Sequence, residues 1–303
     1  MNMSSIQANP NQTVHLKQTP LAPGAHLTRT RGVLAFAGRE FRDAVSSKWF
    51  LLYTVAFSVL AIAVSFVSLA GSGAQGFAGF GRTAAGLLNL IMLIVPLMAL
   101  TAGAGSVAGE RERGTLLYLL AQPISRTELL LGKYLGLAIA LCCSLCVGFG
   151  LSAAVLAWRA GGVGIGSFLM LVLFTCVLAL SMLSVGVLIS VVSRRSGVAT
   201  GLGLFSWLAL VFLSDLGLMA GTVLFKLRVQ EVFALAIINP LQAFKMGVVV
   251  NLNASLDVLG PVGMYASHTY GQALPWLLAG VIILWVLLPL FLAIVLFKRR
   301  KGI

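Results

Sequence analysis

Six long apolar runs, at 49–70, 87–108, 134–157, 167–192, 198–220 and 276–297, leave few folds open to this chain. None is shorter than 22 residues, and a helix needs about 20 to cross a hydrocarbon layer roughly 30 Å thick. Together the runs hold a single Asp, Glu, Lys or Arg, which is Asp215. A mean hydropathy of +1.01, with 59% apolar and 10% charged residues, exceeds what a soluble domain of 303 residues can bury. The expected fold is all-α: a polytopic membrane protein with six transmembrane helices.

The net charge of +13 would suit a nucleic-acid binder. Its distribution does not, because the basic residues fall in short clusters between the apolar runs, without interleaved aromatics. We read the charge as topology instead. With the N-terminus inside, the inner segments hold 16 basic residues and the outer ones five, Arg82, Arg159, Lys226, Arg228 and Lys245, as expected when Lys and Arg stay on the cytoplasmic side. Both termini are then cytoplasmic. The polar stretch 1–32, with Pro10, Pro20 and Pro23, reads as a disordered cytoplasmic tail. Residues 33–303 read as one transmembrane domain.

Ahead of the first run, Val33, Ala37, Phe41, Val45 and Trp49 recur every four residues while Arg39, Glu40, Arg42, Asp43 and Lys48 take the other face. This spacing predicts an amphipathic helix in the inner headgroup layer of membrane lipid. Between runs five and six, 229–250 is apolar enough to suggest a seventh span. It carries Glu231, Asn239-Pro240 and Lys245, and a seventh crossing would push Lys298 to Lys301 outside. The outer segment 221–275 is therefore expected to hold short interfacial or re-entrant helices buried against the bundle.

The densest charge run is Glu110-Arg111-Glu112-Arg113, followed by Gly114, Thr115 and the cluster Leu116-Leu117-Tyr118-Leu119-Leu120. Two readings stay open: a short helix that docks on a partner with its apolar face, its charges fixing register, or a loop whose charges are simply solvated. Ser125 and Glu128 have capping-box spacing at the start of the next helix. Gly109 and Gly114 match the glycine spacing of a phosphate-binding loop, but Thr115 follows with no Lys. This chain is not expected to bind nucleotide, and no cofactor is assigned to it.

Cys142, Cys143, Cys146 and Cys176 lie in apolar runs as packing thiols, and Met264 with His268 is too small a set for a metal site. No metal centre and no catalytic residue are expected, since the runs contain no His and no paired carboxylates. Asp215 is the intramembrane candidate, because a charge at membrane depth is costly. Gly105/Gly109, Gly132/Gly136 and Gly197/Gly201 offer close helix approach, and Pro96 a kink.

The segment from Gly109 to Leu120, with Pro123, Ser125, Arg126, Glu128 and Gly132-Lys133, resembles the first cytoplasmic loop of ABC-2 type permeases, the membrane subunits of a class of ATP-driven transporters. Trp207 through Asp215 to Leu218, Ile238-Asn239-Pro240 with Phe244-Lys245, and the basic end after Phe297 extend the similarity over roughly 33–303. Within the class the chain is most similar to permeases of nitrous oxide reductase maturation, which serve copper-site assembly in the periplasm. Those carry an acidic residue two positions after the proline, where this chain has Gln242.

The resemblance implies an inner-membrane permease of six spans that pairs with a second copy of itself. A cytoplasmic ATPase subunit, which uses ATP and Mg, would dock on each copy. Glu110, Arg111, Glu112, Arg113, Gly114 and Thr115 would form the coupling helix, and the helix from Val33 the family's elbow helix. Asn239, Pro240 and Lys245 would lie where a periplasmic maturation protein docks. Two other readings remain: a general exporter of drug, lipid or glycan, and a membrane scaffold that needs no ATP.

Overall fold

A computed structural model describes residues 29–70, 77–120, 125–160, 165–223, 227–251 and 261–299. Among them there is no strand. The order is α1 (Arg29–Ser46), α2 (Lys48–Ala70), α3 (Phe77–Glu112), α4 (Thr115–Leu120), α5 (Arg126–Ala160), α6 (Ile165–Val192), α7 (Ser196–Val223), α8 (Val229–Ile238), α9 (Pro240–Asn251), α10 (Pro261–Tyr270), a 3-10 turn (Gly271–Ala273) and α11 (Leu274–Arg299). The tail expected over 1–32 lies outside the described residues up to 28. The first helix begins at Arg29, one turn before Val33, and so takes in the last four residues assigned to that tail.

Six helical stretches are long and apolar enough to cross a membrane: α2, α3, α5, α6, α7 and the stretch containing α11. Their outward sides stay apolar. Val55, Val59, Leu173, Phe205, Phe212 and Leu287 are all more than half exposed, which is costly in water but neutral against hydrocarbon. At 36 and 35 residues, α3 and α5 each reach roughly 50 Å, well beyond a hydrocarbon layer of roughly 30 Å. Their excess carries the charges. The ends of α3, α6 and α11 gather with the starts of α2, α5 and α7, and with α1, at what we term the basic end.

The core is built around α6, which packs against α3, α5, α7, α9 and α11. Gly103 and Gly186 bring α3 and α6 to backbone contact: a Cβ on Gly186 would stand 2.6 Å from the Leu100 carbonyl oxygen. Farther along this crossing Ser190 Oγ accepts from the Val107 and Ala108 amides at 2.9 and 2.8 Å. Hydroxyl pairs join α2 to α5, Thr54 with Ser144 at 2.6 Å and Ser65 with Ser152 at 2.7 Å. Such interhelical bonds supply part of the adhesion that the hydrophobic effect cannot provide in lipid.

The segment 229–250 is not one straight span. α8 and α9 meet at an angle of 105° at Asn239, as the Asn-Pro pair suggests, because Pro240 has no amide hydrogen to continue the α8 ladder. The tip of this bent pair sits deep in the bundle. Asn239 Nδ2 donates to the Leu210 carbonyl at 2.8 Å and Trp285 Nε1 to the Ile238 carbonyl at 2.9 Å. Leu210 lies near the middle of the 28-residue α7 and Trp285 near the middle of the 26-residue α11. Non-helical backbone at that depth is tolerated where protein surrounds it and satisfies its polar groups.

Candidate functional site

The last turn of α3 carries three consecutive charged side chains, and successive helical positions point about 100° apart. Each therefore meets a different neighbour. Glu110 Oε1 lies 2.8 Å from Lys133 Nζ on α5, and the same ammonium lies 2.8 Å from Glu40 Oε2 on α1. Arg111 donates to the Ser193 carbonyl, and at 3.4 Å to that of Val191, where a cation complements the C-terminal dipole of α6. Glu112 Oε2 accepts from the Ser196 amide at 2.9 Å, where an anion complements the N-terminal dipole of α7.

α3 then stops. Gly114 adopts φ +73°, and its amide donates to the Arg111 carbonyl at 3.2 Å. A glycine suits this left-handed position because it has no Cβ to clash. Thr115 Oγ1 donates to the Glu110 carbonyl at 3.2 Å and so satisfies a helix-terminal acceptor as α4 begins. Arg113, Gly114 and Thr115 are exposed at this corner.

α1 is seated by the glycine pair on α5. A Cβ on Gly132 would stand 2.6 Å from Phe36 Cβ, and one on Gly136 2.5 Å from the Ala37 carbonyl oxygen. Lys133 lies between these two contacts, which leaves its side chain 3% exposed. Burial pushes the Glu40 carboxyl above its ordinary value of 4.5, against the lowering effect of Lys133. Glu110 Oε2 is buried with no hydrogen-bond partner among the described residues. The cluster thus holds two carboxylates and one ammonium with little water.

Of the expected coupling residues, then, Glu110, Arg111 and Glu112 tie four helices together, while Arg113, Gly114 and Thr115 face outward. The leucine cluster differs from expectation. Leu116 and Leu119, three apart and so on one face of α4, are 1% and 3% exposed within the chain's own core, while the side chains of Leu117, Tyr118 and Leu120 lie outside the described residues. The capping box is present: Glu128 N donates to Ser125 Oγ and Ser125 N to Glu128 Oε2, both at 3.2 Å.

Glu40 and Lys133 were not grouped with Glu110 by sequence reasoning. The available signal was the lysine inside Gly132-x-x-x-Gly136, a place where another helix must come close. The other glycine pairs behave differently, since Gly105, Gly197 and Gly201 have nothing within 4 Å of a Cβ.

Elsewhere, Asp215 belongs to α7 but its side chain lies outside the described residues. Asn239 and Pro240 are buried, and the Asn239 side chain makes its polar contacts with Leu210 and Leu241. Lys245 is partly exposed, and Met264 and His268 are exposed on α10. No group of three or more His, Cys, Asp or Glu among the described residues could hold a metal ion.

The comparisons agree with this architecture. The family model described as "ABC-2 family transporter protein" matches residues 34–301. A probable ABC transporter permease protein NosY of Stutzerimonas stutzeri is 29% identical over 270 residues, 87% of this chain and 97% of that one. Its namesake in Pseudomonas aeruginosa is 30% identical over 276 residues, 88% and 98% of the two chains. A chain with six membrane-crossing helices, matched over nearly its whole length, belongs to the ABC-2 family of transporter proteins and is a permease subunit of the inner membrane.

Proposed function

We propose that this permease receives mechanical work from a separate ATPase subunit docked at its basic end, which faces the cytoplasm. The observation that supports this most directly is the distribution of Glu110, Arg111 and Glu112 over α5 with α1, α6 and α7. A force applied to the exposed corner at Arg113, Gly114 and Thr115 reaches all of them without passing through a flexible loop. Arg194 and Arg195, exposed beside Ser196, widen the same face, so the ATPase surface that meets it is acidic. A second copy of the chain completes the unit.

The pathway is nitrous oxide reductase maturation, on the similarity to two NosY-named permeases. The general-exporter reading draws on Gln242, which is 4% exposed in the interior where the resembling permeases carry an acid. The experiment purifies the chain with its ATPase subunit under mild solubilisation. Arg194→Glu combined with Arg195→Glu is expected to lower ATPase recovery at least tenfold without changing the melting temperature. Unchanged recovery would remove the docking assignment, and a wild-type chain that recovers no ATPase would favour the scaffold reading. Deletion of the gene, followed by assay of nitrous oxide reduction with and without added copper, separates maturation from general export.

A further inference from the structure

We propose that α7 is the lever that carries movement of the Glu110 to Thr115 segment to the opposite face of the bundle, with Glu112 and Asn239 as its two attachment points. The proposal rests on reading that segment as the coupling site. At one end, the Glu112 carboxylate holds the first turn of α7 through the Ser196 amide at 2.9 Å. Only Ser193, Arg194 and Arg195 separate α7 from α6, so this turn has little slack of its own.

Among the described residues α7 is also the span least enclosed by the rest of the chain. Over Ser196–Leu213 11% of its residues are buried, against 50% for α6. A helix with so few neighbours in its own chain moves without opening voids there, whereas α6 cannot shift without opening voids among five neighbours. Near its start α7 meets α3 through small residues. Ala199 packs with Ala104 and Ala108, and a Cβ on Gly203 would meet Ala104 Cβ at 3.6 Å. The larger α7 side chains that pack against the core, Trp207, Leu210 and Val211, lie farther along the helix.

The second attachment lies 14 residues on, about 21 Å along the helix. There the Asn239 side chain donates to the Leu210 carbonyl at 2.8 Å, while its Oδ1 accepts from the Leu241 amide at 3.0 Å and so fixes the amide orientation. Asn239 is the corner between α8 and α9, so a displaced Leu210 carries that corner with it. From α8 the contact continues through rings: Phe233 stacks on Tyr270 at 5.4 Å and meets Tyr265 edge-on at 5.8 Å. Both tyrosines belong to α10, whose Met264 and His268 are exposed.

The test is hydrogen–deuterium exchange on the permease–ATPase complex in lipid nanodiscs, with and without a non-hydrolysable ATP analogue. In the wild type, nucleotide is expected to change exchange over 115–120, 196–213 and 261–270. In Glu112→Ala and in Asn239→Leu the response at 261–270 should fall at least fivefold while that at 115–120 persists. Glu112→Gln, which keeps an acceptor for the Ser196 amide, should respond as the wild type does. A full response at 261–270 in Glu112→Ala or in Asn239→Leu overturns the lever. If Asn239→Leu does not fold, the Glu112 pair decides the question by the same criterion. A wild-type complex with no response at 115–120 sinks the coupling reading itself, and the lever with it.

Discussion

Lys133 Nζ lies 2.8 Å from Glu110 Oε1, so the last turn of α3 is pinned to α5 by a buried ion pair. Removing the cation strands Glu110 and Glu40 together. Lys133→Met is expected to cost about 3–5 kcal/mol, the usual penalty for breaking a buried pair, read as a lowered melting temperature in nanodiscs. Adding Glu40→Gln and Glu110→Gln to Lys133→Met should restore most of that loss, because no uncompensated charge then remains. A triple variant no more stable than Lys133→Met would mean that packing, not charge, dominates the cluster.

The raised carboxyl of Glu40 has a pH signature. A group whose pKa is higher folded than unfolded contributes stability that is complete below the unfolded value and is lost as pH rises through the folded one. For Glu40 this loss begins above the ordinary value of 4.5. Glu40→Gln, an uncharged stand-in, should therefore gain stability relative to the wild type as pH is raised through that window. Parallel melting curves from about pH 4 to about pH 8 would show no such crossover if the carboxyl titrated normally.

The glycines of α5 make opposite predictions at two positions. Gly136→Ala places a Cβ 2.5 Å from the Ala37 carbonyl oxygen, whereas one on Gly150 meets nothing within 4 Å. The first should destabilise by about 1–3 kcal/mol through overpacking and lift α1, with Glu40, away from Lys133. The second should stabilise by up to about 1 kcal/mol through helix propensity. Limited proteolysis of α1 is the readout, with faster cleavage expected in Gly136→Ala alone.

What the sequence made legible follows the range of the interactions involved. The spans were readable because length and apolarity act within one segment, and the Ser125 and Glu128 box because it closes over three residues. That 229–250 holds short helices rather than one long one was readable from Glu231, Asn239-Pro240 and Lys245, but the place and angle of the bend were not. The cluster of residues 40, 110 and 133 was not, since three helices must pack before those side chains meet. The leucine cluster at 116–120 signals an apolar face, but not that Leu116 and Leu119 turn inward. Nothing local to Trp285 signals that its indole ends α8.

That indole yields the last prediction. At the α8–α9 corner the Ile238 carbonyl has lost its helical continuation, and at membrane depth no bulk water replaces it. Trp285 Nε1, donating at 2.9 Å, fills the gap. Trp285→Phe keeps most of the ring but removes the donor, and should cost about 1–3 kcal/mol, the penalty for an acceptor left without a partner away from water. Trp276, on the same helix and 80% exposed, provides the control, since Trp276→Phe should stay within about 0.5 kcal/mol. Thermal unfolding of both variants in one lipid composition measures the difference. Equal melting temperatures would show that the corner is held by Asn239 alone, because Asn239 Nδ2 and the Leu210 carbonyl are untouched by either substitution.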